Sequence, residues 1–277
     1  MLTNVIPQIN TVKTANKVPK IFLLEEFIFF IKQVYRFTNP VAKLELLFQF
    51  MYTYVVMSKD FLLFDLDGTL TDPAQGITNS LMHALHEYGI EECDRRKLYK
   101  YIGPPLMDTF MNDYGFSKEQ AAEAVIKYRD YFAVDGIFEN IVYHGIPEML
   151  RTLQTTGKTL ILATSKPEEY SVRILKHFNL DRYFTCIAGS LMDETRSKKS
   201  EVIEYALDKC GVPDKSQAIM IGDREYDITG AKECGLASVG VTYGFGTRNE
   251  LEKAGADFIA DSVDALQNIL LIDAQTE

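Results

Sequence analysis

The feature that most constrains the fold is a series of short, uninterrupted apolar runs, each stopped by a polar residue. "FLLF" runs into Asp65, "LILA" into Thr164 and "AIMIG" into Asp223. Further short β-rich runs are "FTCIAGS", "ASVGVTYG" and "DFIA". Between several of them lie stretches of helical periodicity, such as "IPEMLRTLQTTG", ending at Gly157, and "SEVIEYALDKCG", ending at Gly211. Strands that alternate with helices pair in parallel, which predicts an α/β protein with a doubly wound parallel sheet. Runs without an apolar/polar alternation fit strands covered on both faces. In such a sheet the functional groups collect beyond the carboxyl ends of the strands. Asp65, Thr164 and Asp223 all fall there.

Composition narrows the function. The chain has 277 residues, 47% of them hydrophobic and 25% charged, the balance of a globular protein with room for more than one domain. A net charge of -10 provides no cationic excess for nucleic acid phosphates, so no nucleic acid partner is expected. Cys93, Cys186, Cys210 and Cys234 form no CxxC pair, which argues against a zinc ribbon or a dithiol redox site and for reduced thiols in the cytoplasm.

Residues 1–56 differ from the rest. "IFLLEEFIFFIKQVYRF" and "LELLFQFMYTYVV" are strongly apolar, but Glu25, Glu26, Lys32 and Arg36 interrupt the first and Glu45 with Gln49 the second. Neither reaches the roughly 18 apolar residues of a spanning helix, so no transmembrane span is expected. They read as an N-terminal helical extension, or as material upstream of a working start at Met57.

Asp65, Asp67, Asp223 and Asp227 could meet at one rim of the sheet. Gathered carboxylates raise one another's pKa values unless a cation intervenes. Mg²⁺ fits: it takes oxygen ligands, keeps waters, and binds through one or two carboxylates plus a substrate phosphate.

Four segments in order, "DLDGT", Thr164 in "LATSKP", Lys199 in "SKKSEVI" and "GDREYD", give the chain its resemblance to the haloacid dehalogenase superfamily of aspartyl-phosphate-forming hydrolases. The likeness spans roughly residues 61–265. It implies a Rossmann-like core, with Asp65 as nucleophile and Asp67 as general acid and base. Thr164 and Lys199 would hold the transferring phosphoryl group, with Gly68, Thr69 and Ser165 supplying compact backbone around it. Asp223 would hold Mg²⁺ with the Asp65 carboxylate and the Asp67 backbone carbonyl, and Asp227 would support the metal or the lysine. Lys198 is an alternative to Lys199.

Residues 73–140 hold the helical patterns "ITNSLMHALHEYG", "LMDTFMNDYG" and "KEQAAEAVIKYRDYFA", broken by "YIGPPL". They resemble the superfamily's helical cap, in the phosphoglycolate phosphatase-like branch, leaving 57–72 and 141–277 as the core. Arg95, Arg96, Lys100 and Arg129 are cap cations that could meet a substrate anion, although solvated charges are the commoner case. His83 and His86, one turn apart, have no evident third metal ligand. The expected function is Mg²⁺-dependent hydrolysis of a small phosphorylated metabolite, phosphoglycolate or a nucleoside monophosphate, by a monomer or homodimer. The alternatives are a sugar phosphomutase and a noncatalytic regulatory protein on the same fold.

Overall fold

The computed structural model describes residues 59–193 and 195–271. The segment 1–56 and Met57, with the expectations attached to them, lie outside the described residues. From β1 (Phe61–Phe64) the chain passes through the short β2 (Thr71–Asp72) into a helical stretch. This comprises α1 (Ala74–His86), a 3₁₀ segment (Arg95–Tyr101), α2 (Leu106–Asn112), α3 (Lys118–Tyr131) and a π turn (Phe132–Gly136), and it ends at β3 (Ile141–Val142). After α4 (Ile146–Thr155), strands and helices alternate. They are β4 (Thr159–Pro167), α5 (Glu168–His177), β5 (Cys186–Ser190), α6 (Lys199–Lys209), β6 (Ala218–Gly222), α7 (Glu225–Cys234), β7 (Ala237–Val241), α8 (Arg248–Ala254), β8 (Phe258–Ala260) and α9 (Val263–Leu270).

Six strands form one sheet in the order β5-β4-β1-β6-β7-β8. Every pairing in it is parallel. The continuous apolar runs are explained by burial on both sides. Leu62 and Phe64 of β1 join a cluster with Met149, Leu150 and Leu153 of α4 and Leu266 of α9. Leu63, between them, joins the opposite cluster with Val202, Ile203 and Ala206 of α6 and Ala231 of α7. Successive side chains of a strand point to opposite faces, so β1 serves two helical layers. Chain order reverses around β1: β4 and β5 lie on one side and β6 to β8 on the other, which makes the end of β1 the topological switch point.

The helical stretch is inserted between β1 and β4. α3 starts with a reciprocal capping box, in which the Ser117 side chain accepts from the Gln120 N–H and Gln120 accepts from the Ser117 N–H. α1 lies so close to the π turn that a β-carbon at Gly76 would collide with the Gly136 carbonyl. Arg95 is not the solvated charge expected of it. It donates to Thr78 Oγ1 and, at 2.6 Å, to Asn79 Oδ1, tying the 3₁₀ segment to α1. Among the described residues no helix is long and apolar enough to cross a membrane.

Two features depart from the sequence reading. β2 and β3, where the chain leaves and re-enters the core, pair antiparallel through Thr71 with Val142 and Asp72 with Ile141. Two-residue strands carry too little periodicity to be recognised. β4 also continues past Thr164 to Pro167, with a register shift against β5. Gly189 on β5 makes room, since a β-carbon there would strike the Lys166 carbonyl and the Glu168 backbone.

Burial of β1 on both faces gives a direct test. Leu63→Ala empties a fully buried position and should cost about 2–5 kcal/mol in urea denaturation. A loss below about 1 kcal/mol would contradict two-sided packing of this strand.

Candidate active site

Asp65 follows β1 directly, and its N–H donates to the Ile221 carbonyl of β6 at 2.9 Å. Asp223 follows β6, and Asp227 lies in the first turn of α7. Because β1 and β6 are neighbours in register, the three acids meet. One carboxylate oxygen of each lies within 4.8 Å of the others, and all three residues are buried.

Crowding keeps them close. Gly68 has φ +82°, a region that disfavours other residues, and a β-carbon there would overlap the Asp223 carboxylate. A β-carbon at Gly222 would likewise overlap the Asp227 carboxylate, and one at Gly244 would strike the Gly68 carbonyl and Asp223. Asp223 Oδ2 accepts from the Phe245 N–H at 2.8 Å. Asp223 Oδ1 is buried with no hydrogen-bond partner.

Lys199, the first residue of α6, lies beside two of the acids. Its Nζ is 2.8 Å from Asp65 Oδ1 and 2.7 Å from Asp227 Oδ1, and it donates to the Ala163 carbonyl at 3.3 Å. Lys198 immediately precedes that helix without a side-chain capping hydrogen bond, and like Lys199 it lines the neighbouring cavity. Of these two lysines, Lys199 is the one that contacts the carboxylates.

Electrostatics follow from the burial. Desolvation pushes the Asp223 carboxyl well above the usual carboxylate range, and Asp227 and Asp65 push it further. Desolvation also raises Asp227, to about 6, against the pull of Lys199. For Lys199, burial by itself would favour the neutral amine, but Asp227 and Asp65 overcome this and hold it above the ordinary lysine value. Three buried acids sharing one lysine leave negative charge uncompensated. An unpartnered Asp223 oxygen within that group is what a hard divalent cation would satisfy, so the donor set fits Mg²⁺. The Asp67 carboxylate is not one of this trio. It turns away to Lys166, with Oδ2 2.7 Å from Nζ, and desolvation raises its pKa while Lys166 pulls it back.

Thr164 and Ser165 line a cavity of about 740 Å³ together with Asp65, Asp67, Lys199 and Asp227. Thr69 is fully buried, its carbonyl accepting from the Tyr243 hydroxyl at 3.1 Å. From the helical insertion, Tyr128, Arg129 and Phe132 line the cavity, as do Gly103, Pro104 and Pro105 of "YIGPPL". Of the insertion cations Arg95, Arg96, Lys100 and Arg129, Lys100 and Arg129 reach it and Arg95 and Arg96 do not. Lys100 pairs with Asp113 at 3.0 Å and Arg129 donates to the Met192 carbonyl at 2.9 Å. His83 packs against Tyr131 and His86 pairs with Glu91, so neither joins the acids.

Two residues went unnoticed in the sequence. Lys166 lies in the part of β4 beyond Thr164, past the end of the apolar run and within the register shift against β5, so no regular alternation marks it in the sequence. Arg224 donates to Glu250 Oε1 at 2.8 Å and to the Ile102 carbonyl at 2.6 Å, joining the residue after Asp223 to the "YIGPPL" loop. No local signal marks it.

Lys199→Met should leave Asp65 and Asp227 buried as like charges and cost about 3–5 kcal/mol at neutral pH. Asp227 is already raised above its unfolded value, and loss of Lys199 raises it further. The penalty should therefore be greatest above the folded pKa and shrink as pH falls through it. Urea denaturation in divalent-free buffer at pH 7 and pH 5 reads this; a pH-independent loss would contradict it.

The chain is similar to several known proteins. It is 46% identical to a 5'-nucleotidase of Pseudomonas aeruginosa over 209 residues, 76% of this chain and 94% of that one. It is 35% identical to the tyrosine-protein kinase PtkA of Mycobacterium tuberculosis, covering 77% of this chain and 73% of the relative. Among solved structures, a predicted phosphatase from Clostridium acetobutylicum superposes with TM-score 0.75 at 48% identity, over 77% of this chain and 98% of that one. The family described as haloacid dehalogenase-like hydrolase matches residues 62–241. With that family model over most of the chain and relatives alike over most of their length, the chain belongs to the haloacid dehalogenase-like hydrolases.

Proposed function

We propose that this hydrolase is a Mg²⁺-dependent phosphatase that cleaves small phosphate monoesters through a phosphorylated Asp65. The observation that carries this reading is the buried trio of Asp65, Asp223 and Asp227, within reach of one cation and with one Asp223 oxygen unpartnered. Mg²⁺, held by Asp65, Asp223 and the Asp67 backbone carbonyl with Asp227 in support, would offset the charge of the phosphate oxygens. The Asp65 carboxylate attacks phosphorus to form an acyl phosphate, dividing one difficult hydrolysis into two transfers. The Lys199 ammonium steadies the transferring group's negative charge, while the Thr164 hydroxyl and the amides near Gly68, Thr69 and Ser165 orient it. Asp67 protonates the departing alkoxide, then takes a proton from the water that hydrolyses the acyl phosphate. Burial, which raises the Asp67 carboxyl, supports the first of these duties.

Residues 73–140 act in this reading as a cap that excludes bulk water and selects the leaving group. The cavity has room for phosphoglycolate or a nucleoside monophosphate, and the name of the Pseudomonas relative favours the latter. Free thiols at Cys93, Cys186, Cys210 and Cys234 fit a cytoplasmic enzyme. The relative named as a tyrosine kinase supports a second reading, transfer of the phosphoryl group to an acceptor other than water. Release of inorganic phosphate supports the first reading, and a new phosphate ester the second.

Asp65→Asn should remain folded and lose Mg²⁺-dependent turnover of a phosphate-ester panel by about 10³-fold or more. Activity equal to that of the parent would reject Asp65 as nucleophile. Mg²⁺ at about 100 times its Kd should stabilise the parent by about 2.7 kcal/mol in thermal or urea unfolding. Asp223→Asn should abolish most of that gain.

A further inference from the structure

Lys166 is a buried cation that the chemistry above leaves without a task. Its side chain is 7% exposed and that of Asp67 is 13% exposed. The two are 99 residues apart in sequence, yet Nζ donates to Asp67 Oδ2 at 2.7 Å. The same ammonium lies 4.6 Å from the centre of the Phe132 ring, in the π turn that follows α3 of the helical insertion. Asp67 Oδ1 is buried with no hydrogen-bond partner, and Asp67, Phe132 and Lys166 all line the cavity.

A short buried carboxylate side chain with one oxygen committed to a fixed ammonium has little rotational freedom left. The ring of Phe132 covers the ammonium and screens the pair from water, where a charge-assisted hydrogen bond is worth more. Lys166 is itself held by its place on β4, and its N–H donates to Thr164 Oγ1 at 3.3 Å. The chain therefore connects the insertion, through Phe132 and Lys166, to one oxygen of Asp67 and leaves the other oxygen without a hydrogen-bond partner.

We propose that Lys166 is a positioning residue for Asp67, fixing the carboxyl so that its second oxygen meets the leaving group, with Phe132 stabilising that arrangement from the insertion. This rests on the reading of Asp67 as the group that protonates the leaving oxygen. A positioning defect has a signature that a loss of stability or of phosphate binding does not share. An alkyl phosphate releases a strongly basic alkoxide and needs the proton, whereas an aryl phosphate such as p-nitrophenyl phosphate releases a weakly basic phenolate and scarcely needs it.

The experiment compares kcat/KM for p-nitrophenyl phosphate and for a nucleoside 5'-monophosphate in the parent, Lys166→Met, Lys166→Arg, Phe132→Leu and Asp67→Asn, each checked for folding by circular dichroism. Lys166→Met should lose about 10²-fold on the nucleotide and less than about tenfold on the aryl ester. Lys166→Arg, which keeps a donor cation, should recover most of the nucleotide activity. Phe132→Leu should show a milder loss with the same selectivity. Equal losses on both esters in a folded Lys166→Met would overturn the inference and point to phosphate binding or general distortion. If Lys166→Met does not fold, Lys166→Arg and Phe132→Leu decide by the same ratio. Asp67→Asn separates the two levels: selectivity there but not at Lys166 sinks the positioning role alone, while its absence in Asp67→Asn sinks the acid role of Asp67 itself.

Discussion

Burying three carboxylates within reach of one another is the constraint on which the rest of this structure depends. Asp223 and Asp227, removed from water, resist ionisation, and neighbouring like charge adds to that resistance. One lysine relieves part of the cost, through contacts below 3 Å to Asp65 and Asp227. Asp223, with one oxygen held by the Phe245 amide and the other unpartnered, remains out of balance. A fold keeps such an arrangement only if its scaffold is stiff. Stiffness comes from β1 and β6, paired in the middle of the sheet and packed on both faces.

The same centre explains how distant parts of the chain take part. Lys166 ties Asp67 to the π turn of the insertion, while Arg224 ties the residue after Asp223 to the Ile102 carbonyl. Tyr99 of the 3₁₀ segment meets the Phe245 ring edge-on, and the Phe245 amide is the one that holds Asp223. Residues beside the acids thus also contact the helical stretch. Position of the insertion and order in the acidic centre are physically joined.

Much of this was legible in the sequence, for identifiable reasons. Continuous apolar runs reveal strands buried on both sides, and the polar residue ending each run marks the functional edge; Asp65, Thr164 and Asp223 were found by that logic alone. What escaped notice depends on contacts between remote segments. Lys166 and Asp67 are 99 residues apart, and Arg224 and Ile102 are 122 apart, so no local period announces either pair. Arg95 looked like a surface charge because Thr78 and Asn79, its acceptors, sit on another helix. The β2 and β3 pair is too short to leave a pattern.

Close packing behind the acids has a consequence for how such a protein can change. At Gly68, Gly222 and Gly244 the sheet side of the centre has no volume for even a methyl group. Variation there is closed, and room for a ligand lies in the cavity, whose wall includes loops and helices of the insertion. New specificities would have to arise by rebuilding that wall while the floor stays as it is, which lets one inherited chemistry serve many metabolites.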